Sequence, residues 1–477
     1  FFFSFLYIKT SNLVLKYRST HIMSSTVFTV SPSPATGNNR RIELAGMDLL
    51  LAVHINNVFV YPDEIKIDRF QDALSRTLSL WPLVAGRTVL ENGDRYFIEM
   101  CDNSIPIAVV ENNDLNEWPF NSDAVVELGN KVFLTLIDFV DAKKLFKNSS
   151  EDEPLVRFKL THIVQSNEWA LGVSWYHPLG DAEPCLRFCN TLSRFYQQLE
   201  PLPPMPIFER RIWQADDVKP SILPIPWQFQ DAQPLDLSGA TVMRQQADYT
   251  PVKIRFTGEQ LAILRKLAGG DSITIQDAMT AYIIVTLNTH CYKDQSDRMM
   301  LHTITVTNVR GVADSIAPQG LVSNALFMMV SNDFPDPYSL SSVAKTIRQS
   351  IHQERDPEAL APAIATVDQI LRKNVKERKS ANPELVPNEL AVNSNYRYDW
   401  AGLFDFGYTD KCRFYTHWCG PLYLRVFRLN PEKQNNEWLP RDRHGADVSF
   451  RLEKELTEKF LDAVKQDTAN NFQNLKL

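Results

Sequence analysis

The chain has few cysteines, no excess of basic charge, no long apolar run and no internal repeat. Each shortage removes a class of answer. The six cysteines (101, 185, 189, 291, 412 and 419) include no CxxC pair. A chain of 477 residues needs no disulfide staples, so they read as free thiols of a reducing compartment. Cys412, His417 and Cys419 fall within eight residues. Structural zinc wants four ligands in paired spacing, so no metal is expected. A formal net charge of −7 argues against a nucleic-acid partner. It leaves small substrates open, because a local basic patch can sit on an acidic protein. FFFSFLYI opens the chain, but Lys9, Lys16 and Arg18 break up the stretch after it, and the apolar run is too short to span a bilayer. The stretch also lacks the basic start and small-residue cleavage site of a signal peptide. Residues 1–22 are expected to be an extension outside the fold. The terminal Leu-Lys-Leu lacks the serine of a peroxisomal address, so a cytoplasmic protein is expected.

What remains is a globular composition of a length that implies two domains, with 44% hydrophobic and 22% charged residues. Phe70, Ala73, Leu74, Leu78 and Trp81 repeat at helical spacing, with Asp68 as the expected N-cap and Pro82 as the stop. Arg95 to Met100 reads as a strand, and Trp169 to Tyr176 as a strand apolar on both faces. Cys185, Phe188, Cys189, Leu192, Phe195, Tyr196 and Leu199 then form a helical stripe, with Pro184 as the first helical residue. Eight prolines lie between Pro201 and Pro234. Such a run is neither a helix nor a central strand, so it is an extended connection and the natural boundary. The expected organisation is an N-terminal α/β domain over 23–200, a crossover over 201–245 and a C-terminal α/β domain over 246–477. In the second half, a helix is expected after Thr274 and strands at Leu301 to Thr307 and near Ala325 to Val330. The charged stretch 371–380 reads as a solvated helix face.

The chemical candidate is His177-Pro-Leu-Gly-Asp181. A short H-x-x-x-D pattern arises readily by chance, and the chain carries two more, His290…Asp294 and His352…Asp356. Those two fall in polar, helix-like stretches, where residues four apart merely share a face. Only His177 lies at the end of a buried strand, on a Pro-Gly turn and just before a helix. Open α/β sheets place their ligands at such strand ends. Histidine is also the side chain that is neutral near pH 7 and able to return a proton. Asp181 directly precedes the Pro184 helix, so capping or an ion pair weighs at least as much there as catalysis.

Several further segments resemble one family. From about Glu43 to the C-terminus the chain resembles the BAHD acyltransferases, which use coenzyme A thioesters and share a fold with chloramphenicol and carnitine acetyltransferases. Their Pro-Leu-Ala-Gly-Arg signature appears as Trp81-Pro82-Leu83-Val84-Ala85-Gly86-Arg87. Their HxxxDG appears as His177 to Ala182, and their Asp-Phe-Gly-Trp-Gly as Asp405-Phe406-Gly407-Tyr408-Thr409. Asn308-Val309-Arg310 and Ser323-Asn324-Ala325 lie between them in the expected order. The likeness is closer to the fungal branch than to the plant one. Ala182, Tyr408 and Thr409 depart from the family pattern.

The resemblance implies two similar-sized chloramphenicol-acetyltransferase-like α/β domains, each a mixed sheet with flanking helices. A Pro-rich crossover would join them and a solvent channel would run between them. His177 and Asp181 would be the catalytic pair, with His177 as general base. Tyr396 stands where the family has a channel-lining tryptophan, and with Ser394 and Asn395 it would donate to the oxyanion or wall the channel. Arg310 would pair with Asp181 or Asp405, and Asp405 and Gly407 would be structural. Thr274 and Asp277 form a capping-box pattern, a place for a coenzyme A phosphate. An acyl-CoA cosubstrate and a small alcohol or amine acceptor are implied, in a monomer of secondary metabolism with no permanent cofactor. Two rivals stand beside this reading. One is acyl transfer from a carrier-bound thioester, although Tyr176 stands where such enzymes usually have a second histidine. The other is a non-catalytic ligand-binding relative.

Overall fold

The structure, a computed structural model, describes residues 23–475 except 51–52, 116–117, 119–121, 128–130, 142–144, 146–151, 235–246, 294–296, 383–385, 409, 418, 436 and 474. The expected 1–22 extension, Asp294 and Thr409 lie outside the described residues. Two six-stranded mixed sheets form the frame. The first contains β1 (Met23–Val30), β2 (His54–Tyr61), β3 (Ile105–Asn112), β4 (Val156–Ile163) and β5 (Glu168–Tyr176). The second contains β6 (Tyr249–Phe256), β7 (His302–Asn308), β8 (Leu326–Val330), β9 (Glu389–Ser394), β11 (Tyr423–Arg428) and β12 (Ala446–Glu453). The sixth strand of the first sheet, β10 (Arg413–Thr416), comes from beyond the crossover. The orders are β1-β3-β4-β5-β2-β10 and β6-β12-β11-β9-β7-β8.

Strand burial matches the pattern of side chains. All nine residues of β5 are buried, as expected of a strand with no polar face. In β4, Val156, Phe158 and Leu160 are buried while Arg157 and Lys159 reach outward. Sheet membership departs from the expected split at 245. Phe414 and Tyr415 of β10 pair with Phe59 and Val58 of β2, closing an edge that would otherwise be left unpaired. Phe414 stacks on Trp400 at 5.0 Å, and buried Arg413 pairs with Glu168. Contacts of this kind depend on the whole fold, so local pattern does not reveal them.

Helices show smaller corrections. Helix α2 (Ile67–Leu80) buries Phe70, Ala73, Leu74 and Leu78 as expected, but Lys66 is its N-cap and Asp68 lies in the first turn. There the carboxylate meets the positive end of the helix dipole. Helix α3 (Ala182–Tyr196) begins two residues before Pro184, with Asp181 as its N-cap. Proline is tolerated there because first-turn N–H groups have no partner within the helix. Its stripe is buried at Cys185, Phe188, Cys189, Leu192 and Tyr196 and half-buried at Phe195, whereas Leu199 lies beyond the helix and is 45% exposed. A short helix α1 (Gly46–Leu50) packs against α7 (Pro357–Lys376), and Gly46 N–H donates to Asp368 at 2.5 Å. A Cβ on Gly46 would come within 2.6 Å of the Asp368 carbonyl, so only glycine allows this approach. Stretch 371–380 is no plain solvated face. Leu371 and Asn374 are buried, and Arg372 pairs with Glu43 and Asp368.

Over residues 201–234 the crossover departs from a plain extended connection by a 3₁₀ turn (Ala215–Asp217), a single helical turn (Trp227–Gln230) and an isolated bridge from Ile207 to Leu321. Each sheet has its own core. One gathers Tyr61, Phe70, Trp81, Trp175 and Phe188, and the other Phe256, Tyr282, Phe450 and Phe460. Truncating such an aromatic to alanine costs about 3–5 kcal/mol. No described helix is long and apolar enough to cross a membrane.

Candidate active site

A cavity of about 660 Å³ opens where strands of the two sheets converge. Strand β5 ends at its wall, and the chain turns there through a 3₁₀ turn, His177–Leu179. His177 lines the cavity and is 7% exposed. Its N–H donates to Val53 O at 2.8 Å, and its carbonyl accepts from Gly180 N–H and Asn324 Nδ2, both at 2.9 Å. Burial pushes the His177 imidazole down to about 4, while the Asn324 hydrogen bond and the Asp48 charge act the other way. The ring is therefore neutral at pH 7 and can accept a proton.

Asp181 also lines the cavity, but its carboxylate is taken up by backbone N–H groups and a guanidinium. Its carboxylate accepts from Glu183 N–H at 3.0 Å as the helix cap, from Ala325 N–H at 3.1 Å and from Arg310 Nη1 at 2.9 Å. Arg310 also donates to Leu321 O at 2.9 Å and Ser323 O at 2.5 Å. The side chains of Arg310 and Asp181 are 1% and 5% exposed. Of the two partners left open for Arg310, the fold chooses Asp181. Asp405 sits elsewhere, accepting from Gly407 N–H at 2.8 Å and Tyr408 N–H at 2.6 Å in a turn. Phe406 packs on Tyr61, Phe70 and Tyr196. None of residues 405–408 lines the cavity.

Ser394, Asn395 and Tyr396 line the cavity at the end of β9. The expected role of Tyr396 as oxyanion donor meets an obstacle. Its hydroxyl donates to His444 O at 2.6 Å, and Arg428 covers its ring at 4.5 Å. A tyrosine has one proton to give, so the side chain walls the cavity. Asn395 is 5% exposed and accepts from Trp400 Nε1 at 3.3 Å. The indole can only donate, so Asn395 Oδ1 must face it and the amide N–H groups turn away. One of them reaches Asn393 Oδ1 at a long 3.4 Å. Ser394 Oγ donates to Gln276 at 2.5 Å.

Thr274 caps α5 (Ile275–Thr286), the helix after α4 (Gly258–Ala268), with the expected capping box. That helix start already holds an anion. Asp277 accepts from Thr274 N–H at 2.9 Å and from Arg348 Nε at 2.7 Å. Cationic side chains rather than the helix end are what this part of the wall offers a phosphate, with Arg265, Arg348, Arg355 and Arg397 all lining it.

His54 belongs to the wall as well, although no sequence pattern singles it out. It pairs in register with Tyr176, beside His177, and burial pushes its imidazole down to about 4. No local signal marks it, since its strand carries no motif. Of the decoys, His290 lies in the turn Leu287–Cys291, and His352 on α6 (Leu340–Glu354) is exposed. His417 stacks on Phe133 at 5.4 Å, and burial pushes the Cys419 thiol up to about 12. Among the described residues no three His, Cys, Asp or Glu side chains gather as a metal site.

No curated protein sequence matches the chain. Solved structures do. Vinorine synthase is 14% identical with a TM-score of 0.59, covering 93% of this chain and 96% of its own. TRI101 of F. graminearum, solved with coenzyme A and T-2 mycotoxin, is 14% identical with a TM-score of 0.60, covering 91% and 99%. At such identity these likenesses speak for the two-domain fold. The profile of the Transferase family matches residues 20–408, and the chain is a member of that family, the BAHD acyltransferases.

Proposed function

We propose that the protein moves an acyl group from an acyl-CoA thioester to a hydroxyl or amine of a small acceptor, with His177 as general base. The observation that carries this reading is a buried, neutral histidine in the wall of the cavity between the sheets. The imidazole takes the proton of the acceptor as its oxygen or nitrogen attacks the thioester carbonyl carbon. The resulting tetrahedral oxyanion collapses, the C–S bond breaks, and the imidazolium returns the proton to the leaving thiolate. Asn395 is the donor assigned to the oxyanion, because its amide is already turned by Trp400. Asp181 works through Arg310 on the shape of the turn and takes no proton. Arg348, Arg355 and Arg397 would meet the phosphates of coenzyme A, the cosubstrate present in the TRI101 structure.

The test is coenzyme A release, measured with a thiol reagent across a panel of acyl-CoA donors and acceptors. Turnover that requires both substrates and is lost in His177→Ala supports the reading. Absence of any thiol release with wild-type protein across a broad panel refutes it.

A further inference from the structure

A general base is only as well aimed as the backbone that carries it, and His177 stands on a single 3₁₀ turn of three residues. The turn's own closing bond is a single one, Gly180 N–H to His177 O at 2.9 Å, and its carbonyls are also held from behind. Arg210 Nη2 donates to Pro178 O and Leu179 O, both at 3.0 Å, and to Val322 O at 3.2 Å. Asn324 Nδ2 donates to His177 O at 2.9 Å. Asp48 ties these two donors together. Its carboxylate lies 3.2 Å from Arg210 Nη1 and accepts from Asn324 N–H at 2.8 Å and Asn324 Nδ2 at 3.0 Å. The side chains of Arg210 and Asp48 are 2% and 0% exposed. Three remote segments thus meet behind the turn: α1, the crossover and the loop before β8. None of Asp48, Arg210 or Asn324 lines the 660 Å³ cavity.

We propose that Arg210 and Asn324, linked through Asp48, are positioning residues that hold the His177–Leu179 turn in its reactive geometry. The inference rests on the reading of His177 as base. Burying two charges has a large desolvation cost, and hydrophobic residues often give equal stability. A buried network of hydrogen bonds instead specifies one arrangement of the groups it touches, here the carbonyls of the turn and of Val322. A displacement of about 1 Å at a reacting group can cost about a hundredfold in rate. The crossover is therefore more than a tether, since it carries the guanidinium that clamps the turn.

Arg210→Lys keeps the charge opposite Asp48 but loses the fork that grips three carbonyls. Asn324→Ala removes the side-chain bonds to His177 and to Asp48 and leaves the ion pair. Both are to be measured for kcat, for KM of each substrate and for thermal midpoint, with His177→Ala beside them. The expected result is a fall in kcat of about 10- to 100-fold, with KM within about twofold and folded protein retained. Wild-type kcat in the folded variants overturns the inference, as does a rise in KM with kcat kept. A loss of rate that merely tracks loss of folded protein in both variants also overturns it, since a plain structural brace gives that pattern. If His177→Ala is as active as wild type, the base reading itself has failed. If His177→Ala is inactive while the other two keep their rate, only the positioning role is lost.

Discussion

Arg310→Ala would leave the Asp181 carboxylate buried with its charge uncompensated, because Arg310 Nη1 at 2.9 Å is the cation it faces. Both side chains are 5% exposed or less, so water cannot take over. Breaking a buried pair by removing one member costs about 3–5 kcal/mol. The carbonyl of Leu321 loses its side-chain donor and that of Ser323 one of two in the same step, which adds to the loss. Against a typical total stability of roughly 5–15 kcal/mol, that is a third or more. At about 2–4 °C per kcal/mol, the thermal midpoint should drop by roughly 6–20 °C, with aggregation at the warm end. Circular dichroism melts and urea titrations measure it directly. Asp181→Asn should also destabilise, because the guanidinium is then the unpaired charge. The double variant Arg310→Met with Asp181→Asn should recover part of the loss, since no net charge stays buried. A folded Arg310→Ala protein melting within about 2 °C of wild type would refute the reasoning.

Tyr396→Phe should keep kcat near wild type, because the hydroxyl serves His444 O, whereas Asn395→Ala should lower kcat by about 10²–10³. Steady-state kinetics on both variants separates the two donors, and the reverse order would return the oxyanion to Tyr396. With His177 pushed down to about 4 from the ordinary 6.5, kcat/KM should stay level down to about pH 5. A pH profile whose acid limb falls at the ordinary histidine value would contradict that. Glu354 is buried, and burial pushes its carboxyl up to about 8 from 4.5. Its folded value is raised, so wild-type stability is fully present below pH 4.5 and is lost as pH rises through 8. Glu354→Gln should therefore melt level with wild type near pH 4.5 and above it at pH 8, and a gap that does not widen with pH would count against the burial.

The features legible in the sequence were local ones. Eight of the nine buried residues of β5, Trp169 to Tyr176, announce themselves by lacking a polar face, and the Pro-Gly turn after them marks the strand end that carries His177. The capping box of Thr274 and Asp277 appears as read. Spacing alone could not say where the Tyr396 hydroxyl points, because a residue at a strand end is free to turn either way. Asp48 and Asn324 were out of reach for another reason: they meet across 276 positions of chain, with no periodicity to join them. Arg210 sits in a proline-rich stretch that looks like plain connection, and nothing in its neighbours tells that it enters the seam. The same holds for β10, which leaves the C-terminal half to complete the N-terminal sheet.

Coenzyme A release by His177→Ala is the decisive measurement. With saturating acyl-CoA and acceptor, kcat should fall by about 10²–10⁴, while acyl-CoA binding by calorimetry and the thermal midpoint stay at wild-type values. His290→Ala and His352→Ala should turn over normally in the same assay. Turnover by His177→Ala at the wild-type rate, or its loss in either of the other two variants alone, would contradict the assignment of His177 as the base.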